Sequence, residues 1–321
     1  MFLIPPQIIF LLPLFLGTFI VISSNSWFSL WLGLELNVIS FIPMLFYSSS
    51  LTSAESAISY FLIQAFSSLI LVSYIFISNI YSLWSINTNF IMTMTMMLKM
   101  GAAPFHSWVI LMTKSLPWPL MILLLSWQKI NPLYIVSITS SKIEFFVVIN
   151  AVIGAMSGLT HLSLRKLMIF SSLVHSSWIF LSMKVSLNSW ILYFAGYCIN
   201  SIIPMTFFYL WNINFVKDIF NFKSLNINSS SLCFSIMNLA GLPPFSGFYL
   251  KWMILMQTAF FSPLISLMVV MSSLTSLWFY LRIMYSAFTL SSMSANKPLM
   301  KTSYSLVIPM LVMGPLFISI S

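Results

Sequence analysis

Apolar residues run for about twenty positions at a time without a polar face, and short clusters rich in Ser, Asn, Pro or charge separate the runs. Leu3 to Ile22 and Trp27 to Tyr47 are apolar on every side. A membrane-barrel strand alternates apolar and polar positions over about ten residues, so run length excludes a barrel. A helix satisfies its backbone within itself and is the element such runs form in lipid. A hydrocarbon core about 30 Å thick takes roughly 20 residues per helix. On that measure the breaks predict helices over 3–23, 26–47, 54–78, 87–114, 118–139, 143–161, 163–183, 189–210, 230–260, 263–286 and 302–320. The fold class is all-α, a polytopic membrane protein of about eleven transmembrane helices. The longest polar stretch, Asn212 to Ser231, predicts a loop of about twenty residues, too short for a domain of its own.

Composition agrees, with 60% hydrophobic and 5% charged residues against roughly a quarter charged in a soluble domain. The chain therefore has no room for a soluble catalytic domain. A net charge of +9 would suggest nucleic acid in a soluble protein, but here the basic residues stand singly between apolar runs and mark topology. Connections after even-numbered helices hold Lys114, Arg165, Lys166, Lys217, Lys223, Lys297 and Lys301, and odd ones Lys142 and Lys184, seven against two. This predicts the even connections and the N-terminus on the inner side and the C-terminus outside. No Arg-rich, Ser-rich transit segment precedes the first run. Cys198 and Cys233 form no C-x-x-C pair and leave the redox compartment open.

One internal repeat stands out. Gly101-Ala102-Ala103-Pro104-Phe105 in the fourth helix and Gly241-Leu242-Pro243-Pro244-Phe245 in the ninth share the pattern G-x-x-P-F, 140 residues apart. Each copy interrupts a stretch longer than one span. The two helices are five apart in order, so the copies run in opposite directions, which is the arrangement of an inverted repeat. The organisation predicted is 1–139 as a first repeat, 140–286 as a second and 287–321 as a terminal helix. Pro removes a donor and disfavours helix before it, so each break frees backbone groups that require a polar cavity rather than lipid.

A charge at mid-bilayer costs several kcal/mol, so mid-span charges call for a reason. Four qualify by position: Glu35, Lys99 just before the first break, Lys129, and Lys251 beyond the second. Glu55 and Glu144 sit at helix starts, Arg282 is close enough to an end to snorkel, and Asp218 lies in a loop. Burial disfavours an ammonium and a nearby carboxylate favours it, so a lysine whose carboxylate partner changes distance can take up and release a proton. Arginine cannot, since it stays protonated. The competing structural reading is a fixed Glu35–Lys pair, against which three lysines share one carboxylate. His106 and His175 are candidate proton relays, with hydrogen-bonded packing as the alternative, and His161 is an interfacial residue. Three histidines at unmatched depths do not make a bis-His haem site. No G-x-G-x-x-G, P-loop or Cys cluster is present, so nucleotide, flavin, iron–sulfur and metal sites have no support. Ala151, Gly154, Ala155 and Gly158 form a small-residue stripe for close helix packing.

Five stretches carry a resemblance: Trp31–Asn37 (WLGLELN), Leu98–His106 (LKMGAAPFH), Trp127–Pro132 (WQKINP), Leu164–Ser172 (LRKLMIFSS) and Gly241–Trp252 (GLPPFSGFYLKW). They span the second to the ninth helix and resemble the antiporter-like proton-pumping subunits of NADH:ubiquinone oxidoreductase, complex I, a family shared with Mrp-type cation/proton antiporters. The resemblance implies two inverted five-helix bundles, breaks in the fourth and ninth helices, and a Glu–Lys–Lys–Lys axis that falls on Glu35, Lys99, Lys129 and Lys251. About eleven helices looks like the animal form, three N-terminal helices shorter than bacterial relatives, and the 23 Met fit a mitochondrial code in which an extra codon reads as Met. Ser59 stands where relatives often carry Lys, and Leu250 where a Pro is common, which implies a milder second break. The resemblance further implies a mitochondrial inner-membrane location and no redox centre in this chain. NADH, FMN, iron–sulfur clusters and ubiquinone would belong to other subunits. Subunits 4 and 4L, accessory subunits and lipids would be its neighbours, with no nucleic acid. A free-standing cation/proton antiporter and a purely structural assembly subunit are the alternatives.

Overall fold

A computed structural model describes residues 5–46, 51–80, 88–139, 143–220, 226–243 and 245–293. The chain divides into two compact units, Met1–Ile143 and Glu144–Ser321. Among the described residues there is no strand beyond an isolated bridge between Ser163 and Phe215. Among the described residues, six helical stretches are long and apolar enough to cross a membrane: Trp27–Phe46, Leu51–Ile77, Trp118–Thr139, Leu164–Met183, Leu187–Leu210 and Pro263–Ser286. Gln7–Ser23, Glu144–Thr160 and Ser231–Ala240 are shorter apolar helices. The helix expected over 302–320, Pro244, Lys142, Lys223, Lys297 and Lys301 lie outside the described residues.

In the first unit, α1 (Pro5–Ser23) and α2 (Trp27–Phe46) cross at two glycines. A Cβ on Gly17 would stand 2.8 Å from the Gly33 carbonyl, and one on Gly33 2.8 Å from the Gly17 carbonyl. Small residues there let the backbones meet, as helix pairs in lipid require. The next elements are α3 (Leu51–Ile80), α4 (Thr88–Met100), α5 (Ser107–Met112), α6 (Trp118–Leu125), a 3₁₀ turn Trp127–Lys129, and α7 (Ile130–Thr139).

The interruption at Lys129 differs from the unbroken helix expected over 118–139. Pro132 has no amide to give the Gln128 carbonyl, and its ring crowds that oxygen, so a continuous helix fails at 128. As the third residue of α7, Pro132 occupies a position whose amide needs no helical partner. Ser126 returns its hydroxyl to the Ile122 carbonyl at 2.6 Å and closes the end of α6.

The second unit holds α8 (Glu144–Thr160), α9 (Leu164–Met183), α10 (Leu187–Leu210), α11 (Val216–Phe220), α12 (Asn226–Ala240), α13 (Ser246–Thr258) and α14 (Pro263–Met293). Nearly all of α9 is buried, from Leu167 to Ser182 without interruption. The small-residue stripe of α8 serves two neighbours, Gly154 against Phe170, Leu173 and Val174 of α9 and Gly158 against Phe279 of α14. The loop expected over Asn212 to Ser231 is instead partly helical. Asp218 accepts from the Asn214 and Phe215 amides at 3.1 and 2.8 Å and so starts α11, and α12 already begins at Asn226. The first residue of each of α9 and α11 bonds to the chain just before the other, Leu164 N to Asn214 O at 2.9 Å and Val216 N to Leu162 O at 3.1 Å, which puts both connections at one end of this unit. Arg282 is half-buried and donates to the Leu159 carbonyl at 3.0 Å near the C-terminus of α8, where the helix dipole favours a cation.

Candidate functional site

The two G-x-x-P-F copies end their helices in the same way. Gly101 has φ of +66° and Gly241 φ of +76°, the left-handed region that a Cβ disfavours. One residue later, Ala102 donates to Met97 O at 2.9 Å and Leu242 to Met237 O at 3.3 Å, the outer bond of a Schellman cap. A turn follows in each, Phe105 N to Ala102 O at 2.8 Å and Phe245 N to Leu242 O at 2.9 Å. The second half-helices then start at Ser107 and Ser246. Pro104 and Pro243 sit exposed inside these breaks.

The first break leaves Lys99 on the last turn of α4, its side chain only 2% exposed. Its Nζ stands 4.0 Å from Glu35 Oε1, whose side chain is 25% exposed. Neither atom has a hydrogen-bond partner among the described residues. The Lys99 carbonyl receives Gln64 Nε2 at 2.9 Å from α3, a bond that replaces one the break removes. Beside Lys99 lies a small cavity whose polar lining residues include Asn37, Tyr60, Gln64, Gln128 and Lys129. Its water-accessible space, about 20 Å³, suits about one water molecule. Gln128 Nε2 and both polar atoms of the buried Asn131, another lining residue, have no protein partner among the described residues. Polar ends of that kind call for water, so Lys99 and Lys129 open onto one hydratable space. Lys129 is buried, at the end of the 3₁₀ turn that Pro132 imposes.

Sequence reasoning on charges alone passed over Asn37, Gln64, Gln128 and Asn131. Their signal was an amide inside an apolar run, the neutral counterpart of a mid-span charge. His106 occupies the N-cap position of α5, half-exposed, with Nδ1 at 3.2 Å from the Pro104 carbonyl. It lies outside the lining of that cavity.

In the second unit Lys251 is buried one turn into α13, and Nζ donates to the Ala240 carbonyl at 2.8 Å. Ala240 is the last residue of α12, so the ammonium meets the negative end of the preceding half-helix. His175 is buried at the centre of α9, with Nδ1 at 3.0 Å from the Tyr193 hydroxyl and its ring 5.0 Å from that of Tyr197. Outside the spans, His161 stacks on Phe170 at 5.2 Å, and burial, with the Lys166 ammonium adding to it, pulls the imidazole below its usual value. Glu144 pairs with Lys184 in an exposed ion pair. No group of three His, Cys, Asp or Glu side chains able to hold a metal occurs among the described residues.

Residues 24–278 match the family described as NADH:quinone oxidoreductase/Mrp antiporter, TM. A protein named NADH-ubiquinone oxidoreductase chain 2 from Anopheles gambiae is 37% identical over 293 residues, covering 88% of this chain and 86% of that one. The protein of the same name from Locusta migratoria is 37% identical over 291 residues, covering 88% and 85%. The fold is also similar to a chain of respiratory complex I from Thermus thermophilus, with a TM-score of 0.78, 14% identity, and coverage of 96% of this chain and 77% of that one. The chain belongs to the NADH:quinone oxidoreductase/Mrp antiporter family of membrane proteins.

Proposed function

We propose that the chain is a membrane-arm subunit of a respiratory NADH:ubiquinone oxidoreductase and couples electron transfer in other subunits to proton translocation through Glu35, Lys99, Lys129 and Lys251. The observation that carries this reading is the Lys99 ammonium, buried, 4.0 Å from Glu35 and beside a cavity lined also by Lys129. A permanent ion pair in a low-dielectric interior closes to hydrogen-bond contact, because desolvation is offset only by excellent geometry. A pair held apart beside room for water suits a proton that is moved.

On this reading the chain is a multi-pass protein of the inner mitochondrial membrane, which its apolar helices and its membership of the family support. About eleven spans form two inverted repeats with the N-terminus in the matrix and the C-terminus in the intermembrane space. Subunits 4 and 4L are the neighbours. NADH, FMN, iron–sulfur clusters and ubiquinone are held elsewhere in the complex, and His106 and His175 relay protons. Tyr193 supports the last role, since its hydroxyl extends the His175 imidazole by one hydrogen bond.

The test is proton pumping and NADH:ubiquinone electron transfer measured together in the assembled complex. With Lys99→Met, pumping falls while the complex still assembles. Undiminished pumping after loss of Lys99, Lys129 and Lys251 together would leave a scaffold. Sodium-dependent transport by the purified chain would leave an antiporter.

A further inference from the structure

The break between α12 and α13 is stitched by one side chain. Asn238 is wholly buried in the last turn of α12. Its Oδ1 accepts from the Ser246 hydroxyl and from the Gly247 amide, both at 2.8 Å, and its Nδ2 donates to Asn200 Oδ1 on α10 at 2.9 Å. The first amides of any helix lack partners within it, and a side-chain oxygen at the N-cap normally supplies one. Here the N-cap residue is Phe245, which has no oxygen to offer, so the Asn238 amide does its work from the neighbouring half-helix. Gly247 makes the approach possible, because a Cβ there would run into the Asn238 carbonyl.

Lys251 follows Gly247 by four residues and so lies on the same face of α13, one turn further along. From that face Nζ reaches back to Ala240 O at 2.8 Å, two residues beyond Asn238 on α12. The two contacts form a ladder between the half-helices. The Asn238 bonds fix the rotation and height of α13, and that placement brings the lysine onto the α12 terminus. Asn200, 6% exposed and itself buried on α10, holds the Asn238 amide in the orientation that presents Oδ1 to α13.

We propose that Asn238, oriented by Asn200, is a positioning residue for Lys251, setting where the ammonium stands relative to the broken helix. The proposal deepens the reading of Lys251 as a proton carrier and rests on it for its functional consequence. The geometric consequence stands by itself. Loss of the amide should let the N-terminus of α13 turn or draw away, and Lys251 should leave Ala240.

The experiment takes the whole complex carrying Asn238→Ala or Asn238→Asp and combines a high-resolution map with paired pumping and electron-transfer measurements. In Asn238→Ala the map should show Lys251 withdrawn from the Ala240 carbonyl. Electron transfer should be kept with pumping lost in part or whole. Asn238→Asp retains both acceptor bonds to α13 and should return Lys251 to Ala240. A Lys251 that stays on Ala240 in Asn238→Ala would overturn the proposal, as would failure of both variants to assemble, which would make Asn238 a packing residue. Lys251→Met run alongside separates the two ideas. Normal pumping there defeats the proton-carrier reading and leaves the positioning result to the map.

Discussion

Lys99 Nζ and Glu35 Oε1 stand 4.0 Å apart, too far for a hydrogen bond and close enough for each charge to govern the other. The separation has a structural source. Lys99 belongs to the final turn of α4, whose end is fixed by Gly101 in its left-handed conformation and by the Ala102 bond to Met97. Glu35 belongs to α2, held against α1 where Gly17 meets Gly33 two residues before the carboxylate. Two backbone constraints thus set the gap, and neither side chain closes it.

Glu35→Gln removes the coulombic partner and keeps the shape, so pumping per NADH oxidised should fall in a complex that assembles normally. Glu35→Asp keeps the charge on a side chain one methylene shorter and should be milder. Pumping in Glu35→Gln at the wild-type ratio would show that the pair is structural.

Among the described residues, Gln64 is the side chain that donates to the Lys99 carbonyl, at 2.9 Å. Gln64→Leu leaves a buried carbonyl without that donor, a loss of roughly 1–3 kcal/mol in a dry interior. The expected outcome is a lower temperature of complex dissociation on heating and a partial loss of pumping, whereas Gln64→Glu, which cannot donate while ionised, should do no better. Wild-type heat resistance in Gln64→Leu would mean that water replaces the amide.

Much of this was legible in the sequence because lipid leaves few options. Uninterrupted apolar runs specify helices, and the charges Glu35, Lys99, Lys129 and Lys251 are conspicuous against them. The positive φ at Gly101 and Gly241 was foreshadowed by G-x-x-P-F, since glycine relieves the chain where proline ends the helix. The 3₁₀ turn at Lys129 is invisible to an apolar count over 118–139, which averages over a single missing donor, although Asn131-Pro132 announces it. The amides Gln64, Asn200 and Asn238 escaped for another reason. A neutral amide inside a span has no long-range field to betray it, and only its partners, distant in sequence, tell a stitch from a packing residue.

Gly241 sits where a Cβ would come 2.9 Å from Lys251 Nζ and 3.2 Å from the Gly247 carbonyl, with φ at +76°. Gly241→Ala therefore carries a left-handed backbone cost of roughly 1–2 kcal/mol and also displaces the ammonium. Less assembled complex and weaker pumping in what remains are expected. Gly158→Ala, whose Cβ would run into the Phe279 ring far from Lys251 in sequence, should affect assembly alone. Equal loss of pumping per assembled complex in both variants would argue against a special role for Gly241.

The connections around Lys166 and Lys217 lie at one end of the second unit, joined through Leu162, Leu164, Asn214 and Val216. With basic residues concentrated in those connections, both should face the matrix. A membrane-impermeant lysine reagent should label Lys166 and Lys217 in inverted vesicles and Lys184 in right-side-out ones. Labelling of Lys166 from the intermembrane-space side would sink the orientation.

Lys251 donates to the Ala240 carbonyl and, among the described residues, pairs with no carboxylate, so its charge is held by a helix end rather than by an acid. A cation at the C-terminus of a half-helix is favoured by roughly 0.3–2 kcal/mol, far less than a buried ion pair would need to be permanent. Lys251→Arg preserves the charge but fixes the proton, because guanidinium stays protonated in proteins. Lys251→Met removes charge and proton and relieves the burial. If the ammonium moves protons, both variants assemble and both lose pumping while NADH oxidation continues, at least in part. If it only clamps the two half-helices together, Arg, with five donors, is tolerated and Met lowers the amount of assembled complex. Pumping and assembled complex measured side by side decide, and normal pumping in Lys251→Arg is the result that would remove Lys251 from the proton path.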